Sequence, residues 1–361
     1  MTRRRRLLLP LAPIYAAMVR WKRRLFAEGR LRSRSLDDTV ISVGSLSAGG
    51  AGKTPVVLLL ATMLSRRGYA VRILTRGYGR GSKVVERVDP AGDAGRFGDE
   101  PLLLAQRSGV PVYVGADRYR AGLMAEAAEV GRRGGRTVVY LLDDGFQHRR
   151  LKRDLDVVLL TQKDVGDALL PAGDLREPLS ALRDADVVVV REEEAASLGE
   201  VMAALTVGAG APPVWVVRRR LRLTTPGGGR LPVRPLVFCG VARPEGFLGM
   251  LEAEGVKTGG VGTEGLGTGG MRPAATVIFA DHYAYGERDV ERRVEQAEAA
   301  GADGLITTEK DAVKLTKGMR GRMERVGRVV VAELQVELVD ERAALRQMIA
   351  MAPRLDRRRD R

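Results

Sequence analysis

A lysine and a threonine placed directly after a glycine-rich turn are the residues of this chain whose types and spacing most clearly specify chemistry. Ser47-Ala48-Gly49-Gly50-Ala51-Gly52-Lys53-Thr54 stands between an apolar run at 39–42 and a second apolar stretch at 56–64. Strand, glycine turn, Lys-Thr and helix is the context that a phosphate-binding loop requires. The glycines let backbone N–H groups converge on an anion, and the helix start adds its positive dipole end. Lys53 is expected to reach the β- and γ-phosphates, and Thr54 to offer its hydroxyl to Mg²⁺. The usual spacing is Gly-x-x-x-x-Gly-Lys-Ser/Thr, and Ser47 stands here where the first glycine belongs.

Other candidate groups sit where strands are expected to end. Asp143-Asp144 follows the apolar run 138–142, the place where a carboxylate faces the metal of a phosphate loop. Two adjacent carboxylates repel one another unless a cation or donors compensate them, so both are candidate metal ligands beside Thr54. The next turn, Gly145-Phe146-Gln147-His148-Arg149-Arg150, adds an amide, an imidazole and two guanidiniums. Asp99, in Gly98-Asp99-Glu100-Pro101, opens a helix as either an N-cap or a catalyst, and spacing alone leaves both open. Arg76-Gly77-Tyr78-Gly79, Asp281-His282-Tyr283 and Thr308-Glu309-Lys310-Asp311 end further strands. Arg176 lies in an irregular loop at 170–178, long enough to border a nucleotide.

The elements that must position these groups read as an α/β fold, a P-loop NTPase-like doubly wound parallel sheet. From residue 39 to about 204, near-continuous apolar strands (39–42, 70–75, 110–114, 138–142, 155–160, 185–190) alternate with helical patterns. That alternation implies a parallel sheet covered on both faces, with ligands at the carboxyl ends of its strands. The expected organisation is a kinase-type core at 36–205, a β-hairpin linker at 206–234 made of 214–223 and 231–233, and a smaller α/β unit at 235–353. That smaller unit includes a closing helix at 340–351; a glycine-rich loop is expected at 259–270 and a basic tail at 354–361. Residues 1–35 are expected to form a basic amphipathic helix, with Ile14, Met18, Trp21 and Leu25 on one face and arginines opposite. The apolar run at 7–19 holds two prolines and is too short to span a bilayer. Such a helix either lies in a membrane surface or packs on its own domain.

The 361 residues carry a net charge of +15, which calls for an anionic partner. Aromatic residues are only 4% and no nucleic-acid motif is present, so nucleic acid is not the expected partner. Cys239 is the single cysteine, which excludes an internal disulfide framework and reads as a small core residue.

On these motifs the chain resembles the tetraacyldisaccharide 4′-kinase family of lipid A biosynthesis over almost its whole length. The most specific matches are Asp143-Asp144-Gly145-Phe146-Gln147-His148 and Thr308-Glu309-Lys310-Asp311, beside the phosphate loop, Arg76-Gly77-Tyr78-Gly79, Gly98-Asp99-Glu100-Pro101 and the 170–178 loop. The resemblance implies transfer of the γ-phosphoryl group of ATP to the 4′-hydroxyl of a tetraacylated disaccharide 1-phosphate. It also implies ATP and Mg²⁺ as cofactors, Asp99 as the base with His282 as its partner, and Arg176 near the phosphates. It implies a peripheral or in-plane place on the cytoplasmic face of an anionic bacterial inner membrane, and no required protein or nucleic-acid partner. Ser45 and Tyr283 depart from the asparagine and second histidine common in the family.

Overall fold

The computed structural model describes residue 5 and residues 7–129, 136–205, 211–225, 228–256 and 271–355. The glycine-rich loop expected at 259–270 and nearly all of the basic tail lie outside them. Helix α1 (Ala12–Ala27) precedes β1 (Thr39–Ser45), α2 (Lys53–Arg66), β2 (Ala70–Thr75), β3 (Glu86–Arg87) and α3 (Asp99–Ser108). Strands β4 (Val112–Val114), β5 (Val138–Asp143), β6 (Leu155–Leu159), β7 (Val187–Arg191) and β8 (Val214–Thr224) follow. The second half contributes β9 (Leu236–Cys239), β10 (Ala275–Ile278), β11 (Gly304–Thr308) and β12 (Arg328–Leu338), and α4 (Glu341–Met351) closes the chain.

Among the described residues the twelve strands form one sheet in the order β10-β9-β11-β12-β8-β7-β6-β1-β5-β2-β4-β3. Neighbours are parallel except at β12/β8 and at the edge pair β3/β4. The strands predicted from apolar runs are present, since a strand buried on both faces has no polar side to interrupt the run. β1, β2 and β5 are buried at every position.

The junction corrects one expectation. Residues 231–233 form no strand, and β8 does not fold back on them as a hairpin. It pairs instead with β12, from Thr224 opposite Val331 to Val217 opposite Leu338. The physical reason is length and donors: β12 offers an eleven-residue partner, whereas Leu231-Pro232-Val233 is short and Pro232 lacks an N–H. The last β7 pair stands at Val217 and the last β11 pair at Ala332, opposite Leu223. Because β8 and β12 run in opposite directions, the carboxyl ends of the two parallel blocks face one another along this ribbon. From 217 to 223 is six residues, or about 20 Å of extended chain. The cleft is therefore bounded on both sides by strand ends, the places where a parallel sheet binds ligands.

The closing helix is a second correction. α4 was expected with the smaller unit, but Ala344, Leu345 and Met348 join the core around α2, β1 and β5 of the first half. β12 carries the chain back across the ribbon, so the helix that follows it lands on the first block. Tyr69 Oη donates to the Leu355 carbonyl at 3.0 Å and ties down the end.

Helix α1 packs one face on its own domain and leaves the other bare. Ala16 is buried, Tyr15 Oη donates to the Arg176 carbonyl at 3.2 Å, and Arg23 pairs with Glu177 at 3.3 Å and with Asp184. The opposite face leaves Ile14, Met18 and Trp21 exposed at 67%, 54% and 64%. Among the described residues no helix is long and apolar enough to cross a membrane.

Candidate active site

The phosphate loop closes β1 onto α2 through Gly49, Gly50 and Gly52, all at positive φ, a conformation that residues with a Cβ rarely adopt. Ser47 is tolerated in place of the first glycine because it is held as a strand-like residue. It bridges to Leu175, and its carbonyl accepts from Arg176 Nη2 at 3.0 Å and from Ser45 Oγ at 2.9 Å. The 170–178 loop also straps the next residue, with Ala48 N donating to the Asp174 carbonyl at 2.8 Å. Lys53, in the first turn of α2, donates to Ser45 Oγ at 3.2 Å and pairs with Asp144 at 3.4 Å.

Asp143 and Asp144 end β5 beside this loop. Gly44 lets them come close: a Cβ there would stand 2.4 Å from the Phe146 Cβ. Asp144 takes φ 52°, uncommon for a residue with a side chain. Arg176 grips its carboxylate with two bonds, at 2.8 and 2.6 Å. Burial works to raise the Asp144 pKa, but Arg176 and Lys53 outweigh it and hold the group well below the ordinary carboxylate range. Asp143 is driven the other way, upward, by burial first and then by the neighbouring Glu100 and Asp144 carboxylates. Thr75 Oγ1 donates to it at 2.9 Å.

Such a crowd of carboxylates suits a divalent cation. Among the described residues no three acidic, imidazole or thiol groups converge into an all-protein cage. Mg²⁺ in phosphoryl transfer needs only one or two carboxylates beside the phosphates, so Asp143 and Asp144 with Thr54 form a fitting donor set.

Across the cleft, His282 Nδ1 stands 2.9 Å from Asp99 Oδ2 and 3.2 Å from Oδ1. Asp99 is the first residue of α3 and only 7% exposed, while His282, at φ 58°, follows β10 in the second half. Asp99 also accepts from the Glu100 backbone N at 3.0 Å. Burial pushes against its charge, but the His282 bond and Lys310 outweigh it and lower its pKa. The Asp99 bond in turn raises the His282 pKa, against burial and Lys310. Lys310 Nζ lies 3.3 Å from His282 Nε2, 3.1 Å from Asp281 and 3.4 Å from Glu100, so one ammonium joins both sides of the cleft. With Nδ1–H donated to Asp99, Nε2 is the ring nitrogen left to accept from Lys310. The Tyr78 ring leans on the imidazole, 5.5 Å between centroids.

A third group surrounds a cavity of about 420 Å³ next to Asp144 and Arg176. Arg76, Arg118, His148, Arg149 and Arg150 line it, with Lys22 and Phe26 of α1. Arg118 is buried, and burial first and Arg76 second lower its pKa to about 10. His148 is held neutral, pushed down to about 4 by burial and then by Arg118. Gln147 turns inward and donates to the Ser45 carbonyl at 3.0 Å.

The motif residues are thus not all brought together. Lys53, Asp143, Asp144 and Arg176 form one cluster; Asp99, Glu100, His282, Lys310 and Tyr78 form another; Arg76 and His148 face the basic cavity. Glu309 points away to Arg107, and Asp311 is wholly buried. Sequence reading missed Thr75, although it ends the strand beside β5, and Arg118, which follows the end of β4 as Arg76 follows β2.

Comparisons with known proteins match the chain over nearly its whole length. The family model described as tetraacyldisaccharide-1-P 4′-kinase matches residues 4–261 and 263–353. A tetraacyldisaccharide 4′-kinase of Koribacter versatilis is 37% identical over 352 residues, covering 96% of this chain and 98% of the relative. That of Geobacter metallireducens is 38% identical over 348 residues, with 92% and 94% covered. The crystal structure of the "apo" form of LpxK from Aquifex aeolicus in complex with ATP superposes with TM-score 0.70 at 29% identity, over 96% of this chain and 99% of that one.

Proposed function

The chain belongs to the tetraacyldisaccharide 4′-kinase family, and from that premise we infer how its residues divide the work. The reaction moves the γ-phosphoryl group of ATP to the 4′-hydroxyl of an acylated glucosamine disaccharide 1-phosphate, a step of lipid A biosynthesis. The backbone N–H groups at 47–54 cradle the phosphates at the start of α2, and Lys53 leaves Asp144 for the β- and γ-phosphates. Thr54, Asp143 and Asp144 would hold Mg²⁺, which when bound would offset phosphate charge. Arg176, already fixed on the loop and on Asp144, keeps the loop in shape beside the phosphates.

A sugar hydroxyl is a poor nucleophile until its proton has an acceptor. Asp99 is that acceptor, and His282, with its ring held between Asp99 and Lys310, orients the carboxylate and stabilises the proton once taken. The Asp99–His282 contact carries this reading, because it sets a buried base from one half against an imidazole from the other, at facing strand ends. The guanidiniums of Arg76, Arg118, Arg149 and Arg150 suit the anionic sugar phosphate. The bare apolar face of α1 suits the acyl layer from which the substrate comes, with the enzyme at the cytoplasmic face of the inner membrane.

The test is ATP consumption with and without an acylated glucosamine disaccharide. Turnover is expected only with the lipid, and Lys53→Ala abolishes it. Asp99→Asn lowers kcat by about 10²–10⁴ while nucleotide still binds. Lipid-independent turnover, or an Asp99→Asn enzyme that fails to bind ATP, defeats the assignment.

A further inference from the structure

One cation at the phosphate loop is borne by the opposite half of the molecule. Arg243 lies four residues beyond the end of β9, and its side chain rests on Gly50. A Cβ at Gly50 would stand 2.8 Å from Arg243 Nε and 3.1 Å from its Cγ and Cδ. No other glycine of the loop is approached in this way, for Gly49 and Gly52 face open space.

The charges around it are unbalanced. Arg191, at the end of β7, donates to the Ala51 carbonyl at 3.2 Å and to the Gly50 carbonyl at 3.5 Å, and pairs with Glu194 at 3.4 Å. Arg219 of the ribbon pairs with Glu193. Arg243 has no carboxylate partner among the described residues. Arg191 lies within reach of both other guanidiniums: burial first and then Arg219 lower its pKa, and Arg243 adds to this against the opposing pull of Glu194. Bringing like charges together on a glycine loop costs free energy unless an anion joins them. The segment that carries Arg243 is anchored three residues earlier, where Gly240 N, just past β9, donates to the buried Asp311 at 2.9 Å.

We propose that Arg243 reaches across the cleft onto the terminal phosphates of the nucleotide held in the loop and neutralises charge there during transfer. An arginine supplied from outside the phosphate-binding half is a recurring device of phosphoryl transfer. Its planar fork matches two phosphate oxygens at once. In that step the bond from the γ-phosphorus to the β–γ bridging oxygen breaks as the bond to the sugar oxygen forms. ADP leaves with the electron pair, and the hydroxyl proton goes to Asp99. The assignment rests on the kinase reading above. It makes assembly of the two halves around the nucleotide a condition of catalysis rather than of binding alone.

The test compares wild type, Arg243→Ala and Arg243→Lys in lipid-dependent turnover and in equilibrium binding of ATP and ADP. Arg243→Ala is expected to lower kcat about a hundredfold or more and to reduce the preference for ATP over ADP. The KM for the lipid is expected to stay unchanged, and Arg243→Lys to recover part of the rate. A residue that merely packs on the loop would not shift the ATP/ADP ratio. Arg243→Ala with kcat within twofold of an active wild type, or with an unchanged ATP/ADP ratio, overturns the proposal. A wild type that consumes no ATP with lipid overturns the kinase reading itself, so the two failures are distinguishable.

Discussion

Removing the carboxylate of Asp311 should loosen the whole second half of the active site. Asp311 is wholly buried, and its two oxygens serve four donors. Gly240 N and Thr308 Oγ1 reach Oδ2 at 2.9 and 2.6 Å; Tyr285 Oη reaches Oδ1 at 2.9 Å, and Lys314 Nζ stands 2.8 Å from the same atom. Each hydrogen bond from a neutral donor to this carboxylate contributes about 1.5–3 kcal/mol net. Stripping the partner from a buried charge such as Lys314 costs about 3–5 kcal/mol, and the two effects overlap. Asp311→Ala should therefore lose about 3–5 kcal/mol, a change of roughly 10²–10⁴ in the opening equilibrium of this half. The loss should appear as faster amide exchange in β9 and β11 and a lower urea midpoint. Turnover should drop too, since Gly240, Tyr285 and Thr308 anchor the segments that carry Arg243, His282 and Lys310. Adding Lys314→Met to Asp311→Asn should recover much of the stability, because replacing both partners removes the orphaned charge. An Asp311→Ala protein within about 1 kcal/mol of wild type, with full turnover, would refute this account of the corner.

The Asp99–His282 pair predicts a pH dependence with a definite sign. An imidazole whose pKa is raised on folding contributes stability that is fully present below its ordinary 6.5 and lost as pH rises through the folded-state value. The stability gap between wild type and His282→Gln should accordingly be wide near about pH 5.5 and shrink by about pH 9; denaturation midpoints that keep the same gap at both would contradict it. For α1, Ile14→Glu with Trp21→Glu removes two exposed apolar anchors worth about 2 kcal/mol each. Sedimentation with anionic vesicles should weaken by at least tenfold while turnover on detergent-dispersed lipid persists, and undiminished sedimentation would leave α1 without a membrane role.

Local pattern and local chemistry carried much of this protein into its sequence. The strands of the first block are legible because burial on both faces demands uninterrupted apolar runs, as at 138–142. The phosphate loop is legible because its glycines, Lys53 and Thr54 are consecutive. The candidate pair Asp143-Asp144 is legible because it is pinned to the end of such a run.

Tertiary structure decided who meets whom. Asp99 and His282 are 183 residues apart, and nothing in either neighbourhood names the other. β8 found its partner in β12 rather than in the nearby 231–233, because pairing follows length and available donors, not proximity in the chain. Consecutive residues after β11 make the point most plainly: Glu309 turns to Arg107, Lys310 to His282 and Asp311 to the interior. Successive side chains on a helical turn diverge by about 100°. The sequence therefore determines that three charged groups stand at a strand end, while the packing around that turn determines which one faces the reaction.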